Sequence, residues 1–169
     1  MHIYDESTQR RTRWSVSINW SRELTFSPRQ ASFILRNVPK ARGVYCIYAK
    51  CCSWDYKHRN WPTKRRSRVV YIGSGWLHQR LSAHLLRKKN PLLNDHCDKH
   101  ELAYRFDRVA DDDPDLDWPR TVEAHLLEMF IEKFKDLPPA NRKEETVPNL
   151  DVDEFIIEES SNFSVFSRS

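Results

Sequence analysis

A chain of 169 residues with only three glycines, Gly43, Gly73 and Gly75, has few positions where its backbone can turn left-handed or admit a very close neighbour. All three lie in one stretch, GVYCIYAKCCSWDYKHRNWPTKRRSRVVYIGSG, residues 43 to 75. Gly43 opens a β-branched and aromatic run, GVYCIYA (43–49), and Gly73 closes a second, SRVVYIG (67–73), which predicts two strands of one sheet. Gly73 and Gly75 then bracket a strand-to-helix turn, where unpaired N–H groups at the start of a helix favour an anion. Relaxation of tight turns accounts for such glycines equally well; close approach of a ligand is the sharper reading.

The rest of the chain supplies the other layers. WSVSINW (14–20) alternates Trp14, Val16, Ile18 and Trp20 with Ser and Asn, the period of a half-buried strand. Ser27, Pro28 and Gln30 carry a helix-start signature for a short helix ending before Pro39. Leu77, Leu81 and Leu85 recur at helical spacing until Pro91, read as the stop. HELAYRFDRVA predicts a third strand, and the segment from Pro119 to the LPP at 137–139 predicts a long helix. These elements make a mixed α/β fold with helices against a small sheet.

At this length one domain is expected, with 39% hydrophobic and 12% aromatic residues to build its core. The start, MHIYDESTQRRTR, lacks the apolar centre of a signal peptide, and nowhere does an apolar run reach the roughly 18 residues of a membrane helix, so a cytoplasmic protein without membrane contact is expected. Cys46, Cys51, Cys52 and Cys97 read as reduced thiols. A zinc site drawing on Cys51, Cys52, His58, His96, Cys97 or His100 is the weaker alternative, because CxxC spacing is absent. The acidic run Asp111, Asp112, Asp113, Asp115, Asp117 lacks the glycine and terminal glutamate of a calcium loop and reads as a solvated connector.

Gly43-Val44-Tyr45, then Tyr71-Ile72-Gly73, then Arg80, a helical Glu123, and Asn141 after a proline pair form an ordered set that resembles the GIY-YIG nuclease family. The resemblance covers residues 38 to 141 and includes the proline-bearing approach Val38-Pro39-Lys40-Ala41-Arg42. It implies a three-stranded, mixed or antiparallel sheet flanked by helices, and hydrolysis of DNA phosphodiesters with one Mg²⁺ or Mn²⁺ per site. The domain boundaries that follow are an N-terminal strand and helix extension (1–37) packed on the core, a nuclease-like domain (38–149) and a C-terminal tail (150–169) containing the apolar island DEFIIEE.

Water attack on a phosphodiester builds negative charge, so a site needs a cation, a permanent positive donor and a proton acceptor. Arg80 suits the second role because guanidinium stays charged and grips phosphate in a fork. His84, four residues on, shares its helix face. For the metal, helical geometry separates three glutamates. With about 100° per residue, Glu123 falls near the middle of the apolar arc formed by Val122, Leu126, Leu127, Phe130, Ile131 and Phe134, while Glu128 and Glu132 fall opposite. A buried carboxylate is costly unless paired or metal-bound, which selects Glu123. By resemblance, Tyr45 helps deprotonate the attacking water, Tyr71 positions water or phosphate, and Asn141 closes the domain by hydrogen bonds, with Asn149 as its substitute.

Two departures matter. Ser74 stands where the family often carries lysine, and the interval between the two tripeptides, normally a tight hairpin, carries a basic, aromatic insertion at 50–68. Lys57, Arg59, Trp61, Lys64, Arg65 and Arg66 are the expected nucleic-acid contacts there, joined by Gly73 and Ser74 at the turn and Arg87 and Lys88 after the next helix. Some restriction endonucleases of this family also carry long insertions here, so the implied activity is restriction-like cleavage, by a homodimer if both strands are cut. The alternative reading is a catalytically inactive nucleic-acid-binding module on the same fold, and a third is a small structural or toxin-neutralising partner. A solvated hairpin extension is the plainer account of the insertion.

Overall fold

A computed structural model of the chain describes residues 13–60, 62–87, 90–109, 117–142, 154–159 and 164–166. The elements are β1 (Arg13–Ile18), β2 (Leu24–Phe26), a 3-10 turn (Pro28–Gln30) running into α1 (Ala31–Leu35), β3 (Arg42–Ala49), β4 (Trp54–Tyr56), β5 (Arg65–Ser67), β6 (Val69–Trp76), α2 (Leu77–Leu85), α3 (Pro91–Lys99), β7 (Leu102–Arg108), α4 (Trp118–Phe134) and β8 (Glu154–Glu159). Trp61, Lys88, Asn149 and the acidic residues Asp111, Asp112, Asp113 and Asp115 lie outside the described residues.

The fold is mixed α/β around an antiparallel sheet in the order β2-β7-β3-β6. Four strands, not three, form it: Leu24, Thr25 and Phe26 of the N-terminal region pair with Tyr104, Ala103 and Leu102 along the outer side of β7. A three-residue strand is too short to show alternation, and only its partner identifies it.

Strand β3 lies between two neighbours and is buried from Gly43 to Ala49. Its alternate side chains therefore feed two separate cores. Val44, Cys46 and Tyr48 pack with Val122, Leu126, Phe130 and Phe134 of α4, while Tyr45, Ile47 and Ala49 pack with Leu77, Leu81 and Leu85 of α2, Leu93 of α3 and Ile34 of α1. Tyr45 thus faces α2, and α4 covers the other side.

Pro91 begins a helix instead of only ending one. The Asn90 side chain accepts the Leu93 N–H at 3.1 Å and Pro91 occupies the first turn, so α3 follows directly where the sequence reading had placed only a stop. The preceding helix α2 closes earlier, at Leu85, with Arg87 at φ 59°. The apolar island near the C-terminus is likewise a strand: β8 pairs in parallel with β1, Arg13 to Glu154 through Ile18 to Glu159, and Glu159 accepts from Trp20 Nε1 at 2.8 Å. Val165 is buried in the α4-side core, so part of the expected tail contributes to the fold.

The basic insertion is a short hairpin. Trp54, Asp55 and Tyr56 pair with Ser67, Arg66 and Arg65, and the Tyr56 ring packs on Phe130 and Phe134 near the end of α4. Much of its positive charge is engaged within the protein. Lys64 and Arg66 both bond Asp55, at 3.0 and 2.9 Å, and hold its carboxyl below the usual range. Arg65 donates to the Lys133 carbonyl at 2.5 Å, one of the acceptors the last turn of α4 leaves open. Arg68 donates to the Lys50 carbonyl, while the Lys50 amine pairs with Glu101. Lys57 and Arg59 are exposed.

Arg65→Ala is therefore expected to destabilise the fold by about 1–3 kcal/mol, the range for a charged donor removed from a partly buried acceptor. Lys64→Ala and Arg66→Ala, at exposed pairs, should leave the urea midpoint unmoved. Equal midpoints for all three variants would show that Arg65 does not hold the end of α4.

Candidate active site

The two tyrosines of the motif meet across β3 and β6. The register sets Tyr45 opposite Gly73, and the Tyr45 and Tyr71 rings lie 6.0 Å apart, tilted by 31°. Gly73 is what lets them do so, because a Cβ there would stand 2.6 Å from both rings. Gly75 is needed twice over. Its φ of +116° is a conformation that side-chain-bearing residues rarely adopt, and a Cβ would lie 3.1 Å from Arg80 Nε. The strand end thus leaves a slot into which Arg80 folds back from α2.

Behind the tyrosines, His84 is buried on α2 and its Nε2 is 2.9 Å from the Tyr45 hydroxyl. The imidazole also contacts Tyr71, with ring centroids 5.1 Å apart. Burial pushes the Tyr45 phenol well above its ordinary range, the neighbouring Tyr71 and Glu123 push it further, and Arg80 pulls the other way. Tyr45 consequently keeps its proton, and its hydroxyl and His84 Nε2 share one hydrogen bond.

On the other face of the sheet, Glu123 occupies the buried side of α4, while Glu128 and Glu132 are exposed, as the helical wheel predicts. Its Oε2 accepts a 2.5 Å hydrogen bond from the Ser74 hydroxyl. Ser74, an expected nucleic-acid contact, is mostly buried at the cavity wall, and its hydroxyl orients the carboxylate. Gly73, another such contact, lies beneath the tyrosine rings.

These groups converge on a cavity of about 630 Å³, lined by Tyr71, Ser74, Gly75, Arg80 and Glu123 together with Arg42, Trp76, Gln79, Asp117 and Arg120. Strand β6 is the sheet's edge, and neighbouring residues along it face opposite ways, so a cavity bounded by Tyr71 and Ser74 draws on both faces. Arg42, paired with Asp117, ties the first residue of β3 to the cap of α4, where Asp117 also accepts the Arg120 N–H at 3.2 Å. Further along the same edge, Asn141 acts as a substitute strand. Its carboxamide accepts from Ile72 N at 3.0 Å and donates to Ile72 O at 2.9 Å.

Not every expected residue is near the cavity. The basic hairpin contacts Phe130 and Phe134, some 10–16 Å along α4 from Glu123 at 1.5 Å per residue. Arg87 is exposed and engaged with Asp98. Conversely, Arg42, Trp76, Gln79 and Arg120 line the cavity without having been singled out for chemistry, and Asp117, read as part of a solvated connector, lines it too. Arg42 and Trp76 directly flank the two glycine motifs, which was the available signal.

Among the described residues, no group of three or more His, Cys, Asp or Glu side chains is placed to hold a metal ion, and Cys46, Cys51, Cys52 and Cys97 are free thiols. Two carboxylates, Glu123 and the Arg42-paired Asp117, line the cavity, and so small a donor set would fit only an ion such as Mg²⁺ that keeps several waters and takes part of its shell from substrate phosphate. Among the described residues, no helix is long and apolar enough to cross a membrane. Comparison with protein-family models, with curated proteins and with solved structures finds no match for the chain.

Proposed function

We propose that the chain is a divalent-metal-dependent DNA endonuclease of the GIY-YIG kind. The observation that carries the reading is the convergence of Tyr71, Arg80 and Glu123 on one cavity, with the Tyr45–His84 hydrogen bond directly behind it. Spacing in sequence does not require a strand residue, a residue of α2 and a residue of α4 to share one space. Hydrolytic chemistry does.

Glu123, oriented by Ser74, would hold the cation, which when bound would supply positive charge for the phosphoryl group and lower the pKa of a water. Arg80 grips the phosphate and remains charged as negative charge develops on it. Tyr71, at the cavity wall, positions the water or a phosphate oxygen. The high affinity of Tyr45 for its proton argues against a phenolate base. As the water oxygen bonds to phosphorus it gives up a proton to solvent, the bond from phosphorus to the leaving oxygen breaks, and that oxygen is protonated by solvent. The hydrogen-bonded Tyr45–His84 pair supports Tyr71 from behind.

Supercoiled plasmid incubated with purified protein and Mg²⁺ or Mn²⁺ tests the proposal. Nicked or linear product that disappears with EDTA is expected. Intact plasmid with either metal across neutral pH would refute it.

A further inference from the structure

Trp76 is 52% exposed, the most exposed large hydrophobic side chain among the described residues, yet it stands beside the most chemically active part of the molecule. As the last residue of β6 it lines the cavity, and its cross-strand partner is Arg42. Cross-strand partners share a face, with Cβ atoms about 5 Å apart. Arg80 folds back from α2 against Gly75, the residue before Trp76, and Arg120 joins the same lining. An indole half open to solvent thus shares one cavity with Arg80, Arg120 and the Asp117-paired Arg42, and with the carboxylate of Glu123.

This arrangement complements one chemistry in particular. Guanidinium groups bind phosphate, whereas an aromatic plane beside them binds the flat ring that the next nucleotide carries. In an intact duplex every base already stacks on its neighbours and offers no free face. We propose that Trp76 stacks on an unpaired base close to the phosphate gripped by Arg80, so that this site takes DNA with single-stranded nucleotides at the cleavage point in preference to continuous duplex. The inference rests on the nuclease reading for its phosphate, but it concerns binding and is measured without cleavage.

Fluorescence anisotropy in EDTA at fixed salt provides the test, with a labelled single strand, a blunt duplex, and a duplex carrying an unpaired flap. Trp76→Ala should weaken the single-strand and flap complexes roughly 5- to 100-fold, the range for losing one stacked base, and should barely alter the duplex complex. Trp76→Phe should recover most of the loss, and circular dichroism of Trp76→Ala should match wild type because the indole is exposed. Wild-type affinity in Trp76→Ala, an equal loss on blunt duplex, or no binding of any of the three DNAs by the wild type would overturn the proposal. Trp76-dependent binding without plasmid cleavage would sustain it and remove only the catalytic reading.

Discussion

Glu123→Gln is expected to abolish the proposed metal-dependent plasmid cleavage, with a fall of about 10³-fold or more, corresponding to about 4 kcal/mol of transition-state stabilisation. The substitution keeps the size of the side chain and an oxygen able to accept from the Ser74 hydroxyl, which sits 2.5 Å away. What it removes is the charge. Because Glu123 is buried on α4, with neighbours such as Val122, Ala124, Leu126 and Leu127, its carboxylate carries a desolvation cost that the neutral amide escapes. The melting temperature should accordingly stay within a few degrees of wild type, the shift equivalent to about 1 kcal/mol in a chain of this size. Loss of cleavage with an unchanged melting curve separates a metal ligand from a structural carboxylate. Cleavage within a few-fold of wild type would sink the assignment, and a large drop in melting temperature would make Glu123 a packing residue.

How far the sequence leads to this site depends on whether each feature is local. Glu123 was legible because a 3.6-residue period places it among apolar neighbours of its own helix, and the chain folds as that period demands. The placement of Tyr45 and Tyr71 on adjacent strands was legible from their β-branched surroundings. Features set by distant partners were not. Strand β2 is three residues whose only mark is the neighbour it finds in β7. Asn90-Pro91 is grammar for the end of one helix and the start of the next, and only the second use brings Leu93 into the core. The internal pairing of the basic insertion was hidden for the same reason: Asp55 lies nine residues before Lys64 and eleven before Arg66, yet the hairpin turns one carboxylate into the partner of both. The protonation of Tyr45 and the exposure of Trp76 are properties of burial, and a single chain read in order does not contain them.

Gly43→Ala should produce the largest loss of stability among substitutions at the three glycines. A Cβ at Gly43 would stand 2.0 Å from the backbone oxygen of Asp107, 3.0 Å from its carbon and 3.1 Å from the Arg108 Cα. At Gly73 and Gly75 the atoms met belong to side chains, Tyr45, Tyr71 and Arg80, which can rotate. The obstacle at Gly43 is backbone, and it belongs to the register itself, since Gly43 pairs with Arg108 on one side and Gly75 on the other. Relief requires β3 and β7 to separate at the middle of the sheet, so the cost should reach about 3 kcal/mol or more, beyond ordinary overpacking. That corresponds to a fall of roughly 6–12 °C in melting temperature for a domain of this size. Gly75→Ala, by contrast, should cost less stability and more activity, because strain and crowding there fall on Arg80. If Gly43→Ala melts within 2 °C of wild type, at the lower end of a ~1 kcal/mol effect, the close approach of β3 to β7 is absent. If Gly75→Ala cleaves as well as wild type, Arg80 does not need the slot that the positive φ opens. The two variants together ask whether the three glycines of this chain were kept for the sheet at one end of the motif and for the phosphate at the other.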